Sequence, residues 1–301
     1  MNENKLRPVA ALLFAATMWG IVWYPYRLLE KAGMAGEVST LVTYVVALLA
    51  TSLLYPRAWR EVSRAPGVLF MVALSAGWCN LAYVLGILHG EVVRVLLLFY
   101  LAPLWTVPLA RLVLGENIAR MGYAVVLLAF SGAVVMLWNP ARGLPVPATM
   151  AEWLGLSAGF TFALANVMVR KAENCGVVIK TLSVFLGVVL VSLIAVLLDR
   201  DRLLSQTSNL LNSAPLVILI AAMLVTMSLA VQYGLSHVPA TRAIVIMLFE
   251  LVVAAVAAYF LADEVMGVQE WIGGAMIIAA SLFSGQLEPR DRPLEHVAAP
   301  G

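Results

Sequence analysis

Charged side chains are scarce in this sequence: Asp, Glu, Lys and Arg together make up 12% of its 301 residues. A soluble domain of ordinary composition carries about twice that share. The formal net charge is only +2, and the basic residues are scattered between apolar runs. They form no basic stripe of the kind that binds nucleic acid. The composition therefore excludes most soluble folds, and we expect no nucleic-acid partner.

Residues that hold metals or perform catalysis are equally few. The two cysteines, Cys79 and Cys175, form no CxxC pair, and no histidine set of suitable spacing accompanies them. The pattern HExxH and paired intramembrane aspartates are missing. We therefore expect no metal, no cofactor and no enzymatic activity.

Long apolar runs are what the sequence has in abundance: 62% of its residues are hydrophobic and its mean hydropathy is +0.94. About 20 apolar residues are needed for a helix to cross ~30 Å of hydrocarbon. The sequence predicts an all-α membrane protein whose ten transmembrane helices lie in the lipid bilayer. The ten runs, followed by a polar cytoplasmic tail over 288–301, are 8–29, 38–55, 66–88, 92–114, 119–138, 152–170, 177–198, 213–235, 241–262 and 267–287.

The distribution of Lys and Arg predicts the orientation, because cytoplasmic loops are enriched in both. A cytoplasmic N-terminus places 13 of the 19 cations on the cytoplasmic side. The other six are Arg27, Lys31, Arg94, Arg142, Arg200 and Arg202. We therefore predict that the N- and C-termini both lie inside, and that the membrane is a bacterial inner membrane.

Two diverged copies of one unit are visible when the sequence is compared with itself. An offset of 148 aligns Gly86 with Gly234, His89 with His237, Arg94 with Arg242 and Glu116 with Glu264. An offset of 143 aligns Arg27 with Arg170, Glu30 with Glu173 and Gly33 with Gly176. The predicted units are residues 1–147 and 148–287, each with five helices. Because five is odd, the second unit is inverted, which is typical of carriers, although channels and inert scaffolds also arise by duplication.

The architecture resembles the drug/metabolite transporter superfamily, to which the EamA-type ten-helix carriers belong. In both halves an Arg begins the fourth helix and a Glu ends it. The runs Gly86-Ile87-Leu88-His89-Gly90 and Phe99-Tyr100-Leu101-Ala102-Pro103 are similar to those of the YddG-type aromatic amino acid exporters. The second half departs from this pattern and reads Leu248-Phe249-Glu250-Leu251. The resemblance implies amino acid export by alternating access through a central cavity, with helices 1, 3, 4, 6, 8 and 9 around it.

Aromatic residues at midspan predict the walls of a substrate site, because the belts that anchor helices in membranes lie at helix ends. An aromatic amino acid presents a flat ring, an ammonium and a carboxylate, so its site requires aromatic walls and a few polar groups. Packed or lipid-facing bulk is the alternative for each of these residues. The candidates are Trp19, Trp78, Tyr100, Phe160 and Phe162.

Glu250 is the acidic residue near the centre of a span, where inserting a carboxylate into the membrane costs a free energy of ~2.5–3.5 kcal/mol. It is a candidate to bind the substrate ammonium; a protonated Glu250 that hydrogen-bonds a neighbouring helix is the alternative. Asn80 and Asn166 are further binding candidates, and interhelical hydrogen bonds are their alternative use.

Three prolines within or near spans, Pro25, Pro103 and Pro108, are hinge candidates, with a static kink as the alternative. The small residues Gly155, Gly159 and Ala163 recur every four positions and predict close packing of a neighbouring helix.

Two functions fit these features. The first is export of aromatic and other neutral amino acids, a function that a monomer could perform. The second is proton-coupled efflux of lipophilic cations or drugs, because aromatic walls beside a carboxylate also suit a cation.

Overall fold

The computed structural model describes residues 3–90, 92–116, 120–138, 147–198, 210, 212–261 and 267–283, and no strand occurs within these ranges. A 3₁₀ helix over Pro56–Arg64 connects α2 to α3. The predicted tail and Glu264 lie outside the described residues. The α-helices are α1 (Glu3–Lys31), α2 (Gly36–Leu54), α3 (Pro66–His89), α4 (Val92–Phe99), α5 (Ala102–Leu114), α6 (Arg120–Leu137), α7 (Met150–Lys171), α8 (Val177–Leu198), α9 (Ala214–His237), α10 (Ala240–Met247), α11 (Phe249–Leu261) and α12 (Val268–Leu282).

Eight described helical stretches are long and apolar enough to cross a membrane. The predicted all-helical, multi-pass character is therefore confirmed. The predicted fifth and tenth runs correspond to α6 and α12, whose apolar parts are shorter, Met121–Leu137 and Trp271–Leu282. The count of ten spans, like the inverted repeat and the orientation, stays a prediction.

Two of the spanning stretches are interrupted in the middle. Tyr100 and Leu101 separate α4 from α5, and Leu248 separates α10 from α11. Pro103 explains the first interruption, because it has no N–H to donate to the Phe99 carbonyl one turn earlier.

The other two hinge candidates lie inside continuous helices. Helix α1 runs through Pro25, and α5 runs through Pro108. Of the three prolines, Pro103 alone coincides with an interruption in the described chain.

Long helices from the two halves pack against each other around the interrupted ones. Helix α3 packs on α7 and α8, and α1 packs on α9, α10 and α11. Helix α7 contacts both α4 and α5, while α6 and α12 pair with each other. The small residues of α7 provide the close approach predicted for them: a Cβ at Gly155 would lie 2.8 Å from the Val95 carbonyl oxygen, and one at Gly159 would overlap the Phe99 carbonyl.

The packing of the interrupted helices differs between the two ends of the molecule. Two names are used for the ends of the molecule. The Glu116 face is the end at which α5, α7 and α9 finish and α8 and α10 begin. The Gly36 face is the opposite end, at which α2 and α4 begin. Helix α5 packs against α10 next to the Glu116 face. Their counterparts α4 and α11, next to the Gly36 face, make at most a weak contact over the described residues. Over the described residues, the two interrupted helices therefore pack closely at the Glu116 face and at most weakly at the other.

Gly159→Ala should destabilise the protein, because the added methyl group would collide with the backbone carbonyl of Phe99. We expect a loss of roughly 1–3 kcal/mol, the usual range for overpacking. Thermal unfolding of the purified protein measures it. Gly67→Ala is the matched control, since a Cβ there meets nothing within 4 Å. Equal melting temperatures for the two variants would contradict the close approach of α7 to the interruption.

Candidate functional site

A hydrogen bond joins the two interruptions. Tyr100 lies between α4 and α5, and Glu250 lies in the first turn of α11. The Tyr100 hydroxyl donates to Glu250 Oε1 over 2.6 Å. Because a carboxyl group at midspan is costly, a hydrogen-bond donor beside it stabilises it there. The same bond ties the first half of the chain to the second.

Four aromatic rings form a cluster beside this bond, which we call the aromatic cluster: Tyr83, Phe99, Tyr100 and Phe162. Phe99 is its centre, with ring centroids 5.2 Å from Tyr83, 5.1 Å from Tyr100 and 5.4 Å from Phe162. The Tyr83 and Tyr100 rings meet Phe99 edge to face, which is a favourable arrangement of aromatic quadrupoles. Side chains from α3, α4 and α7 thus provide flat apolar walls next to one carboxyl group.

Two weaker polar groups lie on the same side of α3. Cys79 and Tyr83 both pack on the small core that contains Phe99, at the centre of the aromatic cluster. Cys79 and Tyr83 are one helical turn apart, so a single face of α3 presents both. Over the described residues, no group of three His, Cys, Asp or Glu side chains is arranged to hold a metal ion.

The structure brings together three of the eight predicted binding residues: Tyr100, Phe162 and Glu250. Trp19 packs against apolar cores that contain residues of α1, α2, α8 and α9. Trp78, which is 42% exposed, donates its indole N–H to Ser157 Oγ over 3.3 Å. Phe160 is 37% exposed and contacts the Trp105 ring with a centroid separation of 5.6 Å. Neither Trp78 nor Phe160 contacts a ring of the aromatic cluster.

The two predicted asparagines lie in different surroundings. Asn80 lines a separate cleft between α2, α3 and α8. Asn166 is buried, one turn beyond Phe162 and one turn before Arg170. Phe162, Asn166 and Arg170 therefore form a stripe along α7 that leads from the aromatic cluster to the Glu116 face.

A network of charged groups connects the helix ends at the Glu116 face. Helix α5 ends at Gly115, whose φ of 69° turns the chain so that Glu116 follows outside the helix. Glu116 Oε2 accepts a hydrogen bond from the first N–H of α10, at Ala240, over 3.1 Å. This position is favourable for a carboxylate, since the N-terminus of a helix carries partial positive charge.

Two cations complete this network. Arg170 Nε lies 3.7 Å from Glu116 Oε1, and the Arg170 guanidinium donates to the Ser236 carbonyl. The buried Lys180 ammonium donates to Ser236 Oγ over 2.8 Å. Ends of α5, α7, α8, α9 and α10 are thereby connected.

Sequence reasoning missed three residues of the site: Cys79, Tyr83 and Phe99. Phe99 directly precedes Tyr100 in the run that carried the family resemblance, so the signal for it was present. Tyr83 lies four positions after Cys79, a helical spacing that predicts a shared face but not which helix it meets.

The EamA-like transporter family model matches this chain over residues 6–138 and again over 149–286. Protein RarD of Salmonella typhi is 30% identical over 195 residues, which are 60% of this chain and 63% of that protein. The chain thus aligns with less than two thirds of that relative. RarD of Escherichia coli is 26% identical over 234 residues, 75% of each chain. An uncharacterised transporter of Archaeoglobus fulgidus is 24% identical over 275 residues, 91% of this chain and 95% of that one.

The fold also matches a solved crystal structure, with a TM-score of 0.71 and 13% sequence identity. The match covers 92% of this chain and 96% of the other. At this identity the likeness concerns the fold alone.

The Glu116 network should respond to mild acid. Burial raises the pKa of Glu116 above its ordinary value of 4.5, against the opposing effects of the Arg170 guanidinium and the Ala240 N–H. A raised pKa means that folding favours the protonated form. The melting temperature of the wild type relative to Glu116→Gln should therefore be highest below pH 4.5 and fall as the pH rises through the raised pKa.

Arg170→Gln tests the cause of this dependence. Removing the Arg170 cation takes away one of the effects that lower the Glu116 pKa, so this pKa should rise further. The fall in relative melting temperature should therefore occur at higher pH. Thermal unfolding across pH measures both variants. A wild-type advantage that grows between pH 4.5 and neutrality would contradict the assignment.

Proposed function

Because the chain belongs to the EamA-like transporter family, we propose that this membrane transporter exports aromatic and other neutral amino acids across a bacterial inner membrane. The observation that carries the proposal is the Tyr100–Glu250 hydrogen bond beside the aromatic cluster, at the level where the two spanning stretches are interrupted. The YddG-type resemblance of the Phe99–Pro103 run supports the same substrate class.

The site offers a partner for two parts of an aromatic amino acid. Glu250 is the acceptor for the substrate ammonium, which displaces the Tyr100 hydroxyl from the carboxylate. The substrate ring packs against Phe99 and Phe162, where aromatic contacts add about 0.5–1.5 kcal/mol to the area buried. The freed Tyr100 hydroxyl and the Cys79 thiol then remain as donors for the substrate carboxylate.

Transport proceeds by alternating access between the two halves. The contact of α5 with α10 and the Glu116 network hold one face together, while α4 and α11 make at most a weak contact at the other over the described residues. With the orientation predicted from the Lys and Arg distribution, the face held by the Glu116 network is the cytoplasmic one. For inward opening, Glu116 must leave Ala240 and Arg170 must leave Ser236, which releases α10 from α5 and α7.

Efflux of lipophilic cations is the second candidate, because a carboxylate surrounded by aromatic faces also attracts a cation without a carboxylate. Competition distinguishes the two. Phenylalanine should compete for labelled substrate better than phenethylamine if the amino acid is the substrate, and worse if the site serves organic cations.

Glu250→Gln should raise the apparent KM for phenylalanine about tenfold or more. Gln keeps the shape and can still accept from Tyr100, but it removes a charge-assisted bond to ammonium worth ~1.5–3 kcal/mol. Counterflow in proteoliposomes measures it. Glu30→Gln, the same substitution at the exposed end of α1, is the matched control and should leave the KM unchanged. An unchanged KM in Glu250→Gln would assign Glu250 a structural role.

Phe162→Ala should reduce phenylalanine counterflow by at least tenfold, because it removes a wall of the aromatic cluster. Phe160→Ala is the matched control: it is the same substitution, two residues earlier in the same helix, at a ring that contacts Trp105 instead. We expect a smaller effect there, with transport normalised to folded protein. An equal or larger loss in Phe160→Ala would place the substrate on the other side of α7.

A further inference from the structure

The 3₁₀ helix between α2 and α3, which we call η1 (Pro56–Arg64), lies where the chain leaves the membrane. Both of its neighbours are long and apolar enough to cross a bilayer. At the end of α2, Leu53 and Leu54 are exposed, as expected of side chains that face hydrocarbon, and charged residues follow directly. Because α2 begins at the Gly36 face, η1 lies at the Glu116 face, at the level of the lipid headgroups.

The register of η1 sorts its side chains into stripes, because side chains three positions apart are eclipsed in a 3₁₀ helix. One stripe, which we call the arginine stripe, consists of Arg57, Arg60 and Ser63, and all three are exposed. On the next stripe, Val62 packs against the apolar core between α3 and α8, while Trp59 remains 36% exposed. The helix thus presents cations on one side and an aromatic ring beside them.

The third stripe anchors η1 to the loop between α7 and α8. Glu61 Oε2 accepts a hydrogen bond from the N–H of Gly176, the residue directly before α8, over 2.6 Å. Arg64 lies 3.5 Å from the same carboxylate oxygen and donates to the Asn174 carbonyl over 3.5 Å. These contacts fix the position of the arginine stripe relative to α8.

The cations of the arginine stripe are left for an external partner. Within the described ranges, the guanidinium groups of Arg57 and Arg60 make no ion pair and no hydrogen bond. A guanidinium group binds phosphate oxygens through paired N–H donors. Tyr55, directly before η1, is 46% exposed and adds a second aromatic side chain to Trp59. Tryptophan and tyrosine favour the headgroup level of a bilayer.

Anionic phospholipid is the partner that matches both the charge and the aromatic side chains. A soluble anion would use the arginines but gain little from Trp59 and Tyr55, whereas a bilayer surface accommodates the rings and supplies phosphate groups. We propose that η1 binds the headgroups of anionic phospholipids through Arg57 and Arg60, with Trp59 inserted beside them. Because Glu61 ties η1 to the start of α8, a bound lipid stabilises the junction of α2, α3 and α8.

Phosphatidylglycerol, added to the purified full-length protein in detergent, tests the proposal without any amino acid present. It should raise the melting temperature in a saturable manner, beyond the effect of phosphatidylcholine with the same acyl chains. A basic residue at an anionic membrane surface contributes about fivefold to affinity. The double variant Arg57→Gln/Arg60→Gln should therefore raise the half-saturating phosphatidylglycerol concentration at least tenfold. Arg27→Gln/Arg111→Gln, which removes two exposed arginines outside η1, is the matched control and should respond as the wild type does.

Equal responses to the two lipids would overturn the proposal, as would equal losses in the two double variants. Inorganic phosphate tests for a soluble ligand instead: if it stabilises the protein as phosphatidylglycerol does, the assignment to lipid is wrong. Trp59→Ala should weaken phosphatidylglycerol binding as well, and an unchanged half-saturating concentration would contradict the insertion of its ring. The arginine stripe shares no residue with the aromatic cluster, so export can fail while lipid binding succeeds, and the reverse.

Discussion

A carboxyl group in the middle of a membrane-spanning stretch needs a polar partner, and the fold is arranged so that Glu250 has one. Its partner, Tyr100, is available because α4 ends at Phe99 and α5 begins at Ala102, so the interruption places the tyrosine next to the start of α11. Gly159 lets α7 approach the Phe99 carbonyl at the same point. The interruption, the close helix packing and the hydrogen bond thus depend on one another, and the aromatic cluster is built around them.

This central junction separates two differently packed ends. Towards the Glu116 face, α5 and α10 are in contact, and Glu116 reaches from the end of one to the first N–H of the other. Towards the Gly36 face, α4 and α11 make at most a weak contact over the described residues. A carrier that alternates must exchange these two arrangements. In the proposed alternating access, the Glu116 network is the part that would break, whereas the Tyr100–Glu250 bond lies at the level about which the halves would move.

The sequence predicted the helices well because long apolar runs leave few alternatives in a membrane. It also marked Tyr100, Phe162 and Glu250, whose type and depth were unusual. Phe160 and Phe162, two positions apart, lie about 200° apart around α7 by helix geometry alone. The sequence did not predict which of the two would face the site, since that depends on which helices pack against α7. The interruption at Leu248 carries no proline or glycine signal comparable to Pro103, so tertiary packing determines it. The partners of Asn80 depend on α2 and α8, which are distant in sequence.

The most direct test of the central claim is a double-mutant cycle of Tyr100→Phe and Glu250→Gln on the unfolding free energy, with and without phenylalanine. Without substrate, we expect a coupling energy of about 1 kcal/mol, the difference between a hydrogen bond to a charged acceptor and one to the neutral Gln amide that replaces it. With saturating phenylalanine, the coupling should fall towards zero, because the substrate ammonium replaces the Tyr100 hydroxyl at Glu250. A coupling that is absent without substrate, or that phenylalanine leaves unchanged, would contradict the account.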